Sequence, residues 1–336
     1  ALRANGGVGA EKPDAASLAA YLAKVDVKGA IQLVLASSQE IGGLRGAHLE
    51  GLGLCCEVML ALAMEIVGKG PPVPYERCVR TITGAPPEPS RPEEKRRRVE
   101  ELLSAAGYPA ASAELLLQAV DAWRFERRVP KESIAALGAE FIAHYDALSA
   151  KNLVPYLPAE LAGVPRANVR FLPIENAWFS GSMNYLGHAR KADGSPEYEA
   201  TYELNAALEI SVPEFQQLVS HEVVPGHVTT FAYLQNLFVR GRAGFEASVQ
   251  AMNTRDAVLS EGIANNAILI AYGVTELADL PDRDLELGVL LALLQDDAKN
   301  QSSYLTWKEG LSQPEVAAIL RRDFLVSLER ADKLSG

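Results

Sequence analysis

Between two helical patterns past the middle of the chain stands the segment His221-Glu222-Val223-Val224-Pro225-Gly226-His227, and no other stretch limits the fold so tightly. Pro225 has no N–H to give to the carbonyl of His221, and its ring collides with that carbonyl in a continuous helix. Gly226 tolerates backbone angles that other residues avoid. The pair predicts a kink or bulge. On an ideal helix, side chains six residues apart point about 120° away from each other, because six residues turn it by about 600°. A bend at Pro225-Gly226 swings His227 back towards His221.

The rest of the pattern is mostly helical. Apolar periodicity and stop signals predict helices over 15–25, 28–37, 45–68, 93–106, 110–127 and 131–150, and then over 212–223, 227–240, 245–272, 282–298 and 313–332. Ser211-Val212-Pro213-Glu214 has the form of a capping box. Residues 168–174 fit a short strand. Tyr202 to Ser211 fits a better one, because Leu204, Ala206, Leu208 and Ile210 alternate with polar residues. The polar stretch 180–199 reads as a loop or irregular hairpin. The expected class is mainly α with a small β-sheet (α+β). Residues 1–70 form an N-terminal helical region, 71–92 a proline-rich linker with a helical piece at 75–83, and 93–336 the remainder.

Composition narrows the chemistry. The 336 residues are 48% apolar and 22% charged, as in a globular chain with a sizeable core. The net charge of −11 disfavours nucleic acid as a partner. The run Lys95-Arg96-Arg97-Arg98 is flanked by glutamates and reads as a solvated helix face. Cys55, Cys56 and Cys78 form neither a disulfide framework nor a Cys-x-x-Cys pair. The apolar stretch 52–67 is too short, and too interrupted by Glu57 and Glu65, to cross a membrane. Residues 1–7 contain no apolar signal core, so a cytoplasmic location is expected, with a processed N-terminus left open.

Two imidazoles brought together invite a metal, and a catalytic zinc site ordinarily has three protein ligands and one open position. Glu261, in Leu259-Ser260-Glu261-Gly262-Ile263-Ala264, is the best third ligand, since a carboxylate on an apolar helix needs a partner. Gly262 beside it lets another backbone come close. One Zn2+ ion held by His221, His227 and Glu261 would lower the pKa of a water. Glu222 would then take the water's proton and pass it to a leaving amine. Tyr304 is the first candidate to stabilise the oxyanion, with His188 and Tyr202 behind it. If the strand 202–210 lies at a sheet edge, its Tyr202, Asn205 and Ala206 can hold an extended peptide.

These residues resemble a known pattern. His221 to His227 is similar to the His-Glu-x-x-Pro-Gly-His signature of a large bacterial domain-of-unknown-function family of predicted zinc metallopeptidases, which look like distant relatives of the thermolysin-like zincins. The family's Glu-Gly-Trp-Ala motif is matched by Glu261-Gly262-Ile263-Ala264, and its Tyr-x-x-Asn strand by Tyr202-Glu203-Leu204-Asn205. The resemblance spans roughly residues 200–310. It implies a zincin-like architecture, zinc on His221 and His227, a catalytic Glu222 and hydrolysis of a peptide or similar amide. Two positions depart from it: Val228 stands where the family often has a histidine, and Ile263 replaces the tryptophan. Two alternatives stay open: a metal-dependent enzyme acting on a non-peptide small molecule, and a non-catalytic helical protein with a vestigial metal site.

Overall fold

The computed structural model describes residues 15–174, 181–205, 210–248 and 250–336. The chain divides into two compact units, Ala1–Pro87 with Gln250–Leu259, and Glu88–Val249 with Ser260–Gly336. The division after Pro87 falls inside the proline-rich stretch 71–92. The return of residues 250–259 to the first unit has no compositional signal, because it is made by tertiary contact.

In the first unit, α1 (Ala15–Lys24), α2 (Val27–Ile41), α3 (Gly43–Ile66) and α4 (Tyr75–Thr83) follow one another. Asp26 caps α2 by accepting the Gly29 N–H at 3.1 Å. Ile31 of α2 and Leu49, Cys55 and Val58 of α3 are buried. Gly84 ends α4 in the left-handed conformation, as glycine after a helix commonly does.

The second unit contains α5 (Glu93–Ala105), α6 (Ala113–Glu126), α7 (Ile134–Asn152) and the single turn α8 (Ala159–Ala162). Three strands follow, β1 (Val169–Ile174), β2 (Gly181–Tyr185) and β3 (Ala200–Asn205). Then come α9 (Val212–Glu222), α10 (His227–Val239), α11 (Arg255–Asn265, whose first residues group with the other unit), α12 (Ala267–Tyr272), α13 (Arg283–Trp307), α14 (Gln313–Phe324) and α15 (Leu328–Ser335). The protein is thus mainly helical with one small sheet, and no helix among the described residues is long and apolar enough to cross a membrane.

The sheet order is β1-β3-β2, with β1 parallel and β2 antiparallel to β3. β3 is therefore the central strand, and both of its edges are taken. The expectation that this strand lends a free edge to a peptide is corrected: alternation reports which face is buried, not which strands lie alongside. The polar stretch after 180 supplies β2. The pattern over 245–272 splits into a 3-10 turn at Phe245–Ser248, α11 and α12. The helix expected over 313–332 breaks at Leu325, which has a φ of 55°.

Two large apolar cores organise this unit, beside a small cluster of Leu161, Val164 and Ala232. One gathers Val99, Leu103, Trp123, Leu291, Leu294, Leu320 and Phe324 from α5, α6, α13 and α14. The other packs Tyr145 of α7, Tyr202 and Leu204 of β3, Phe215 and Val219 of α9 and Ile268 of α12. Each such fully buried side chain contributes about 1.5–3 kcal/mol. The long helix α13 reaches both cores, through Leu291 in one and Leu285 and Val289 in the other. It crosses the first turn of α9 at Gly288, where a Cβ would stand 2.4 Å from that of Pro213.

Candidate metal centre

The first ligand helix is fixed at its start. Ser211 and Glu214 form the capping box that the sequence announces: the Glu214 N–H donates to Ser211 Oγ at 3.3 Å, and the Ser211 N–H donates to Glu214 Oε2 at 3.4 Å. Arg124 of α6 holds the other oxygen of Glu214 at 2.9 Å. Phe215 and Val219 bury one face of α9, which leaves His221 and Glu222 in its last turn.

α9 stops at Glu222 and α10 starts at His227, so the bend expected at Pro225-Gly226 is a complete break between two helices. The Val224–Pro225 peptide is cis. The Gly226 N–H donates to Ser220 O at 3.0 Å, and the Thr229 N–H to Val223 O at 3.2 Å. A Cβ on Gly226 would lie 1.8 Å from the His221 carbonyl oxygen, so only glycine fits this turn.

The break brings the two rings together. The centroids of His221 and His227 are 4.8 Å apart, with the planes at 89°. Glu261 of α11 reaches both, its Oε2 lying 3.3 Å from His221 Nε2 and its Oε1 3.4 Å from His227 Nε2. One ligand atom from each residue lies within 4.8 Å of the others. His227 is buried, and the Glu261 side chain is 51% exposed, so the cluster opens to solvent on the carboxylate side.

Two imidazole nitrogens and a carboxylate, donors of the types that zinc takes, therefore face one space. His227 turns its other ring nitrogen, Nδ1, to Ser260 Oγ at 3.1 Å, an orienting contact that leaves Nε2 facing the cluster.

The charges at the centre act on one another. Hydrogen bonds from His221 and His227 hold the Glu261 carboxyl well below the usual carboxylate range. Burial opposes protonation of His221, but the hydrogen bond to Glu261 and the charges of Glu222, Glu261 and Asp296 outweigh it and raise its pKa. Burial pushes the half-buried Glu222 upward, against the pull of His221 and His227.

Of the remaining expected site residues, Tyr202 is placed otherwise. Tyr202 is wholly buried and packs edge-on against Phe171 at 5.4 Å, so it has no surface to offer a substrate. This corrects its assignment as a substrate contact. It shares the inward parity of Leu204, a signal present in the alternation itself. Its hydroxyl lacks a hydrogen-bond partner among the described residues, and burial, aided by the charge of Glu222, raises its pKa far above the ordinary value. Glu309 raises the pKa of the Tyr304 phenol, and the tyrosine ring packs on the core of α5, α6, α13 and α14. His188 lies exposed in the turn after β2. Asn205 pairs through its backbone with Ile174, while its side chain and all of Ala206 lie outside the described residues. Gly262 does not admit a neighbouring backbone as expected, since nothing lies within 4 Å of where its Cβ would be.

Three residues near the centre escape a sequence reading. Ser260 orients His227, and only its place directly before Glu261 hints at this. Asp296 and Lys299 of α13 pair with each other at 2.6 Å, and their charges reach His221 and Glu222 respectively. The i,i+3 spacing predicts their pairing but not their location.

No family model matches the chain, and no curated protein matches it. Among solved structures it is similar to a "putative lipoprotein" from Colwellia psychrerythraea, at 13% identity and a TM-score of 0.53, over 95% of this chain and 59% of that one. It is also similar to a "putative lipoprotein of unknown function" from Shewanella oneidensis, at 12% identity and a TM-score of 0.50, over 99% of this chain and 65% of that one. The chain spans less than two thirds of the length of either, and at such identity the likeness is one of fold.

Proposed function

We propose that this chain is a zinc-dependent hydrolase of peptide or similar amide bonds, with a zincin-like arrangement of helices and sheet around one ion. The observation that carries the reading is the convergence of His221, His227 and Glu261 from three helices to within 4.8 Å. His221 and His227 would hold zinc through Nε2, and Glu261 through its carboxylate. When bound, such an ion supplies Lewis acidity and brings a water towards ionisation near neutral pH.

The chain's own residues supply the rest. Glu222 follows the first ligand directly, at the end of α9, and the charges of His221, His227 and Glu261 all reach its carboxylate, which stays outside the three-ligand set. It accepts the proton of the attacking water and returns it to the leaving amine. Ser260 keeps the His227 ring aimed. With β3 paired on both sides, an extended substrate would run along β2, the edge strand on the side of α10. Tyr185 of β2 stacks on Phe231 at 5.7 Å, and Phe231 lies 6.3 Å from His227, which links that strand to the centre. The motif resemblance over residues 200–310 supports the same reading.

Metal analysis of the purified chain, with turnover of quenched-fluorescence peptide libraries and of amide-bearing small molecules, tests the proposal. Zinc near one equivalent is expected. Glu222→Gln should keep that zinc and lose about 10²–10⁴-fold in rate, while His221→Ala should lose the metal. A fully active Glu222→Gln enzyme rules out the general-base role. Cleavage of small amides but of no peptide would move the substrate class to the metabolite alternative.

A further inference from the structure

A second constellation lies wholly in the first unit. A cavity of about 260 Å³ is lined by Leu54, Glu57 and Val58 of α3, Arg77, Arg80 and Thr81 of α4, and Arg255 at the start of α11. The three α3 residues follow i, i+3, i+4 spacing, and so do the three of α4, so each helix presents one face to the space. Three arginines, all exposed, thus line one opening of a chain whose net charge is −11.

Their partners leave them short of negative charge. Arg255 is held in place: its Nε–H donates to the Thr81 carbonyl at 3.1 Å, and its stem lies where a Cβ on Gly51 would come within 3.2 Å of Cδ. Its Nη groups have no carboxylate partner among the described residues, and the adjacent Asp256 contacts His48 at 3.4 Å. Arg77 forms no ion pair among the described residues. Arg80 is bound to Glu76 at 3.0 Å, an exposed i,i+4 pair of small energy that a stronger anion can displace. Glu57 lines the same cavity without an ion pair among the described residues. Glu57 and Glu76 are the acids that the two helices set against the three arginines, and Asp256, next to Arg255, turns to His48.

We propose that this cavity binds a phosphate-bearing small molecule. A guanidinium offers a rigid fork of N–H donors, and a tetrahedral dianion has enough oxygens to accept forks from several directions at once. A single carboxylate occupies one such fork. Leu54 and Val58 give the cavity an apolar wall, which suits an organic group attached to the phosphate.

Calorimetric titration of the whole chain with inorganic phosphate, phenyl phosphate and benzoate tests this. Both phosphates should bind at one site and outcompete benzoate. Tighter binding of phenyl phosphate assigns an organic phosphate ester, and equal binding assigns the free ion; either upholds a phosphate site. The double variant Arg77→Gln/Arg255→Gln should weaken binding about tenfold or more. Glu57→Gln should tighten it severalfold, a gain that damage to the fold cannot mimic. The proposal is overturned if neither phosphate binds at about 10 mM, if benzoate binds better than phenyl phosphate, or if Glu57→Gln fails to tighten binding. Phosphate affinity unchanged in a folded double variant overturns it as well.

Discussion

His227 Nδ1 stands 3.1 Å from Ser260 Oγ, one residue before the carboxylate that meets the other nitrogen of the same ring. When Nε2 faces a cation, Nδ1 carries the proton and donates to the hydroxyl, which fixes both tautomer and ring angle. Ser260→Ala should leave the fold intact and weaken zinc binding about 10- to 100-fold. Competition against a fluorescent chelator measures this, and unchanged affinity would remove Ser260 from any orienting role.

Gly226 has no room for a side chain. A methyl group placed 1.8 Å from the His221 carbonyl oxygen forces the backbone apart at the point where α9 hands over to α10. Gly226→Ala is expected to cost about 3 kcal/mol or more in stability and to lose zinc, because the imidazoles no longer meet. Urea unfolding and metal content should change together in this variant.

Ligand linkage gives a third expectation. Zinc that binds only the folded chain at a hundredfold excess over its Kd stabilises it by about 2.7 kcal/mol. Chelation should lower the thermal midpoint, and added zinc should restore it. In Glu261→Gln, which takes the carboxylate out of the cluster, that zinc-dependent shift should largely vanish. An equal shift in the variant would place the stabilising metal elsewhere.

Glu286 is one carboxylate of the second unit whose ion pairs depend on pH. Its side chain is 1% exposed and accepts from Arg98 at 2.7 Å and Arg283 at 2.6 Å. Burial alone would raise its pKa, but the two guanidiniums outweigh that and depress it. A depressed folded-state pKa means stability that is present above the ordinary value of about 4.3 and lost as pH falls through the folded value. Glu286→Gln should cost about 1–3 kcal/mol at neutral pH. The gap from the parent chain should shrink below about pH 4, as denaturant titrations across that range would reveal.

The legible parts of the site are those that covalent geometry dictates. Pro225 and Gly226 cannot continue a helix, and two imidazoles beside such a break announce themselves without coordinates. Ser211-x-x-Glu214 is readable for the same reason, because its bonds run over three residues. Helix spans were largely readable too; α4 occupies 75–83 as its pattern suggests. What stayed hidden depends on distant segments. Asp296 and Lys299 come near the centre because α13 crosses α9 where Gly288 meets Pro213, a contact between residues with no local relation. β3 reads as a strand, but its alternation does not show its neighbours. The burial of Tyr202 was within reach, since its parity with Leu204 already pointed inward.

His221 and Glu261 are far apart along the chain and 3.3 Å apart in space, with α10 and a turn-rich stretch between them. An ion shared by the two would staple that whole excursion shut at its base. Arg240 and Arg242, exposed on the way round, then become natural gauges of whether the staple is in place. Trypsin should cut there slowly in the metal-loaded chain and quickly once a chelator has released the loop.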